Sequence, residues 1–239
     1  AYRLGIGDAF FNFASAVFVP AGKEAGQQGL PLIIAAMRFM KEHGSHKMLV
    51  VGHTDTSGNN EYNDRLSDAR ARTVLALLEG ERETFVTAAG EFDAQADDTP
   101  DVMSYTAKVR GWDCACASGA GLADRKTAVR EFQRNYNEAF GASITVDGMV
   151  GPQTYGAYYD TFVQDLALMQ ASTGDDDSSE AEVTDSGRDP AKIAEGEAGL
   201  AELRGQLRWV NAKKYEALGE KYPVDEPEKD GYRSWKNRR

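Results

Sequence analysis

Hydrophobic and polar positions divide this chain into blocks of different period. Residues 8–20, DAFFNFASAVFVP, are almost continuously apolar and are broken at Pro20 and Gly22, which predicts a buried strand followed by a turn. Over 23–43, Leu32, Ile33, Ala36, Met37 and Met40 recur at helical spacing. The short run Met48 to Val51 predicts a strand over 47–52, followed by a polar loop and a helix over 62–79. This β-α-β-α order is half of an α/β sandwich.

The second half begins with a helix around 100–110. A further helix covers 122–136, with Ala128, Val129 and Phe132 on one face that continues to Tyr136. From Ile144 to Phe162 the pattern gives a short extended piece, an Asp147-Gly148 turn and an aromatic helix. Gly151 and Pro152 open that helix, since proline fits a first helical turn. Residues 171–190 are acidic, serine-rich and poor in large apolar groups, which predicts a flexible linker. Ile193, Leu200, Leu203 and Leu207 then mark a helix over 191–209, which runs through Trp209 and Val210 into a returning strand.

Composition narrows the function. A hydrophobic fraction of 41% over 239 residues allows one or two domains with cores of their own. The net charge of −11 argues against nucleic-acid backbones and anionic membrane surfaces. The longest apolar stretch, residues 30–40, carries Arg38 and falls short of the ~20 residues a spanning helix needs. Cys114 and Cys116 read most simply as small residues in a turn, with an oxidised pair as the other reading. His43 and His46 stand three apart without an intervening glutamate or an evident third ligand, and the cysteines have no nearby base. No enzyme, metal site or cofactor is expected.

The chemistry concentrates between Gly52 and Val74, GHTDTSGNNEYNDRLSDARARTV. Asp55 lies just past the carboxyl end of an apolar strand, where open α/β sheets bind ligands. Arg70 follows 15 positions later, so its helix can fold back toward the carboxylate. An isolated Asp and Arg would be read as a turn cap and a weak surface ion pair. Held apart by a ligand, they would suit a zwitterionic amino-acid centre, Asp55 taking the ammonium and the Arg70 fork the carboxylate. The nine positions Gly52, Thr54, Asp55, Asn63, Leu66, Ser67, Arg70, Ala71 and Val74 resemble the signature of the OmpA-like domain. Phe11, Phe13 and Ser15 resemble its opening strand. Gly219, Glu220, Pro223 and the tail Asn237-Arg238-Arg239 resemble its closing section.

The resemblance implies an α/β (α+β) sandwich of OmpA-like type, discontinuous, formed by 1–80 plus 196–239. It also implies non-catalytic binding of peptidoglycan through the diaminopimelate of its peptide stem. Asp55 and Arg70 would hold that centre, Thr54, Asn63, Leu66 and Ser67 would shape the pocket, and Arg238 would approach it. A second resemblance lies in the insert. Ala128, Val129, Phe132, Gln133, Val146, Asp147, Gly148, Gly151 and Thr154 resemble the small three-helix peptidoglycan-binding domain, here over 98–168. Whether that insert contacts the wall or only spaces and stabilises stays open, because its turn residues report fold. The implied setting is the bacterial cell envelope, periplasmic or otherwise wall-facing, with peptidoglycan as partner. The alternative is a structural subunit of an envelope-spanning or secretion-type machine that uses the OmpA-like fold to dock other protein subunits.

Overall fold

A computed structural model describes residues 10–12, 14–20, 28–54, 59–92, 98–112, 125–172 and 189–219. Among them the chain is mostly helical, with one small parallel sheet, an arrangement compatible with an α/β OmpA-like fold. The order is α1 (Gly29–Glu42), β1 (Val50–Gly52), α2 (Asn60–Glu79), α3 (Arg82–Glu91), α4 (Asp98–Arg110), α5 (Arg125–Phe140), α6 (Pro152–Ala171), α7 (Pro190–Gly205) and β2 (Tyr215–Ala217).

Local chemistry explains most boundaries. The Asn59 side chain caps α2 by accepting the Tyr62 N–H at 2.8 Å. Gly80 ends the same helix in the left-handed conformation, φ 83°, which a glycine adopts without steric cost. Asp189 caps α7 by accepting the Ala191 N–H, and Pro190 takes the first helical position. Gly151 and Pro152 open α6 as the sequence predicts. Of the expected linker, Ala171 closes α6 and Pro190 begins α7, while 173–188 lie outside the described residues.

Residues 10–20 depart from expectation. The described ones are buried apart from half-buried Ala14, and none of them lies in a strand. Val19 N–H instead donates to the Phe10 carbonyl at 2.8 Å, folding the segment back on itself, and Ala14 sits at φ 54°. The physical reason lies in α2, whose Arg70 and Thr73 side chains reach the Asn12, Ser15 and Ala16 carbonyls. Those acceptors are then bonded to side chains, where a sheet would bond them to a neighbouring strand.

β2 returns to lie parallel to β1 in the register Val50↔Tyr215, Val51↔Glu216 and Gly52↔Ala217, and Met48 bridges to Trp209. One apolar core joins the N-terminal segment (Phe10, Phe18), α1 (Met37), α2 (Leu77), α3 (Phe85), α5 (Phe132) and α6 (Phe162). α6 is the shared element. It packs against α7, α3 and α1 as well as α5, and its buried positions lie on more than one side. Gly196 of α7 approaches so closely that an added Cβ would lie 1.9 Å from the Ala167 carbonyl. Arg82 of α3 grips Asp160 of α6 with Nε and Nη2, and the Tyr136 hydroxyl of α5 donates to the same carboxylate at 2.6 Å.

Candidate functional site

The carboxyl end of β1 meets α2 at Gly52. A Cβ there would lie 2.0 Å from the Ser67 carbonyl oxygen, so only glycine lets strand and helix backbones touch. Beyond it, Thr54 N–H donates to the Gly219 carbonyl at 2.8 Å. Gly219 N–H donates to Ser67 Oγ at 3.0 Å, and that hydroxyl donates to the Asp64 carbonyl at 2.9 Å. Ser67 thus fastens the returning chain after β2 to the middle of α2. Gly219 has φ 53°, the left-handed region that favours glycine.

Arg70 forms the floor. It is 1% exposed, so it is no surface ion-pair residue. Its Nε donates to the Ser15 carbonyl at 2.8 Å, Nη1 to His53 at 3.1 Å and Nη2 to Asn12 at 2.9 Å. The Phe11 ring lies 5.3 Å from the guanidinium carbon, close enough for a cation–π contact. The dipoles of these carbonyls orient the guanidinium. One side chain therefore joins the N-terminal segment, the end of β1 and α2. Thr73, one turn on, places Oγ1 2.9 Å from the Ala16 carbonyl and adds a second tie.

Of the residues predicted for the site, Thr54, Ser67 and Arg70 are linked around the end of β1, with Asn63 and Leu66 on the adjoining part of α2. All five are buried. The Thr54 hydroxyl is buried without a hydrogen-bond partner among the described residues. Asp55 and Arg238 lie outside the described residues, as do Cys114 and Cys116. Sequence reasoning missed the contributions of Asn12, Thr73 and Asp101, whose carboxylate accepts from the Asn12 amide at 2.8 Å. The position of Thr73 three residues after Arg70, on the same helical face, was the available signal for that residue.

A cleft of about 350 Å³ adjoins the site, lined by Asp64, Arg65, Asp68, Glu91 and Ala217. Its acidity is partly answered, since Arg72 donates to Asp68 at 2.7 Å and to Glu91 at 2.6 Å. Burial, reinforced by the neighbouring Asp68, pushes the nearby Tyr215 phenol above its usual range. Among the described residues no group of three or more His, Cys, Asp or Glu could hold a metal ion. None of the described helices is long and apolar enough to cross a membrane.

Residues 10–102 match the model of the OmpA family. This stretch is an OmpA family domain. The match contains β1, α2 and the Arg70 floor, and it runs through α3 into α4. A similar protein is the peptidoglycan-associated lipoprotein of Legionella pneumophila, 39% identical over 49 residues. That alignment covers 20% of this chain and 28% of the lipoprotein, so the chain spans little more than a quarter of the relative's length. No solved structure matches. Within the matched stretch, Gly52, Ser67 and Arg70 each hold backbone in place, and β1 pairs with β2 at residues 215–217, well beyond that stretch.

Proposed function

We propose that this chain binds peptidoglycan without covalent chemistry, anchoring itself or its assembly to the wall of a bacterial cell envelope. The site is the end of β1. Asp55 takes the ammonium of a diaminopimelate centre in the peptide stem, and Arg70 takes its carboxylate. Thr54, Asn63, Leu66 and Ser67 shape the pocket, with Arg238 as an additional cation nearby. The observation that carries this proposal is Arg70: a buried guanidinium at the carboxyl end of a strand, oriented by three carbonyls from two chain segments. Such a preorganised cation suits a carboxylate, because charge-assisted bidentate hydrogen bonds are among the strongest available to a side chain. The OmpA family match and the wall-associated name of the Legionella protein support the same direction.

The domain proposed here is discontinuous, 1–80 plus 196–239, and the parallel pairing of β1 with β2 supports it. Residues 98–168 are the proposed insert, like a small peptidoglycan-binding helical domain in its turn and helix pattern while its α6 packs into the core shared with α1, α3 and α7. Supporting this, Gln133 Nε2 donates to Asp147 Oδ1 at 3.1 Å and to the Met149 carbonyl at 3.0 Å, and lies 3.2 Å from Thr154 Oγ1. Gly148 N–H returns a bond to Gln133 Oε1 at 3.0 Å.

Titration with two soluble stem peptides tests the site. Amidating the diaminopimelate carboxylate removes bonds worth about 1.5–3 kcal/mol each, so affinity should fall at least about tenfold. Asp55→Ala should weaken binding of the unmodified peptide and retention on purified sacculi. Equal affinity for both peptides, with sacculus retention unchanged in Asp55→Ala, would refute this mode of binding.

A further inference from the structure

We propose that Asp101 is a positioning residue for the stem site, acting on Arg70 through Asn12. This rests on the stem-binding role given to Arg70 above. The segment 10–19 supplies two of the three carbonyls that orient the guanidinium, Asn12 and Ser15. Its described residues lie in no strand, and Ala14 sits in the left-handed region, which side chains disfavour. Its position therefore depends on anchors from elsewhere. Arg70 and Thr73 hold it from α2. On the other side, Asp101 Oδ2 accepts the Asn12 Nδ2–H at 2.8 Å.

Asn12 is 2% exposed, whereas Asp101 lies at the surface of α4 and reaches inward to it. The next residues, Val102 and Met103, are fully buried in the core shared with Phe10, Phe11 and Phe18, which fixes where α4 presents its carboxylate. The Asn12 peptide unit is thus held at both ends, its side chain by α4 and its carbonyl by Arg70. When the α4 contact is lost, the Asn12 carbonyl loses an anchor, and with it the Arg70 guanidinium loses the fixed direction of one of its acceptors. A bidentate carboxylate contact depends on that plane. The part of the chain following the α3 helix would in this way tune wall binding without touching the ligand.

The test compares Asp101→Ala and Asp101→Asn with wild type in the full chain, with a diaminopimelate-containing stem peptide as probe. Amide hydrogen exchange at Val17 and Val19 is the second readout. Asp101→Ala should weaken peptide binding about tenfold, equivalent to ~1.4 kcal/mol, and speed exchange at both amides while those of α2 and α7 hold. Asp101→Asn keeps an acceptor oxygen for the Asn12 amide and should stay within about twofold of wild type. Equal losses in the two variants would overturn the proposal, since the charge and not the hydrogen bond would then matter. Wild-type affinity in Asp101→Ala, where Asp55→Ala does weaken binding, would overturn it as well. If Asp55→Ala and amidation of the peptide have no effect, the stem site itself fails. Unchanged exchange at Val17 and Val19 in Asp101→Ala overturns the positioning role in either case.

Discussion

Replacing Phe162 by alanine should weaken the whole molecule as one unit. Phe162 of α6 is fully buried, with its ring centroid 6.1 Å from that of Phe18 in the N-terminal segment and 6.1 Å from that of Phe85 in α3, both edge-on. Removing such a ring costs about 3–5 kcal/mol through lost transfer energy and an incompletely collapsed cavity. That is a large share of the ~5–15 kcal/mol that holds a typical protein folded. Two tryptophans allow the two ends of the core to be followed separately. Trp112 packs on Phe132 of α5 at 5.6 Å, and Trp209 pairs with Met48 beside β1. Two proteins, each keeping one of these and carrying phenylalanine at the other and at Trp235, would be unfolded in urea with and without Phe162→Ala. With a slope of ~2–3 kcal/mol/M, both midpoints should fall together by about 1–2.5 M. A shift at Trp112 with none at Trp209 would show two independent cores and refute the shared role of α6.

Gly52→Ala should cost about 3 kcal/mol or more, because its Cβ meets helix backbone that cannot swing aside, whereas Gly44→Ala, which meets nothing within 4 Å, should change little; thermal unfolding of the two variants checks the contrast. Asp160→Ala should cost about 1–3 kcal/mol, discounted for the partial exposure of Arg82, and a urea midpoint equal to wild type would rule out the three-helix tie. High pH should destabilise the fold. Tyr136 and Tyr159 are pushed up to about 12, by burial first in both and then by the Asp160 hydrogen bond for Tyr136. The folded state thus keeps protons that the unfolded state loses near pH ~10. This contribution is complete below that pH and disappears as pH rises through about 12. Phenolate absorbance and urea midpoints measured together across that window would check it, and a flat midpoint would contradict it.

The helices were legible because apolar residues at 3.6-residue spacing report a local property, and the Asn59, Gly80 and Pro190 boundaries follow from neighbours in the chain. α3 was missed. Its face is written only in Phe85, Ala88 and Ala89, too faint a stripe to separate from a loop. The strand predicted over 8–20 failed for the opposite reason: an apolar run signals burial, but its carbonyls are taken by side chains about 55 residues distant. The motif residues Gly52, Ser67 and Arg70 could be picked out in advance, yet the Ser67–Gly219 bond spans 152 positions and no local pattern contains it. In α6, the abundance of aromatic residues announced burial without naming the partners, so its sharing among α1, α3 and α7 became visible only in three dimensions.

The parallel pairing of Val50 with Tyr215 also sets a schedule for biosynthesis. Parallel neighbours cannot be joined by a tight turn, and here 165 residues separate the partners. At ribosomal rates of about 5–20 residues per second, β1 leaves the ribosome roughly 8–33 s before its partner exists. Throughout that interval the β1 edge that will receive Tyr215–Ala217 is an uncapped template for foreign strands. A nascent chain of this design gains from a holdase, or from translocation in an extended state, until β2 has emerged.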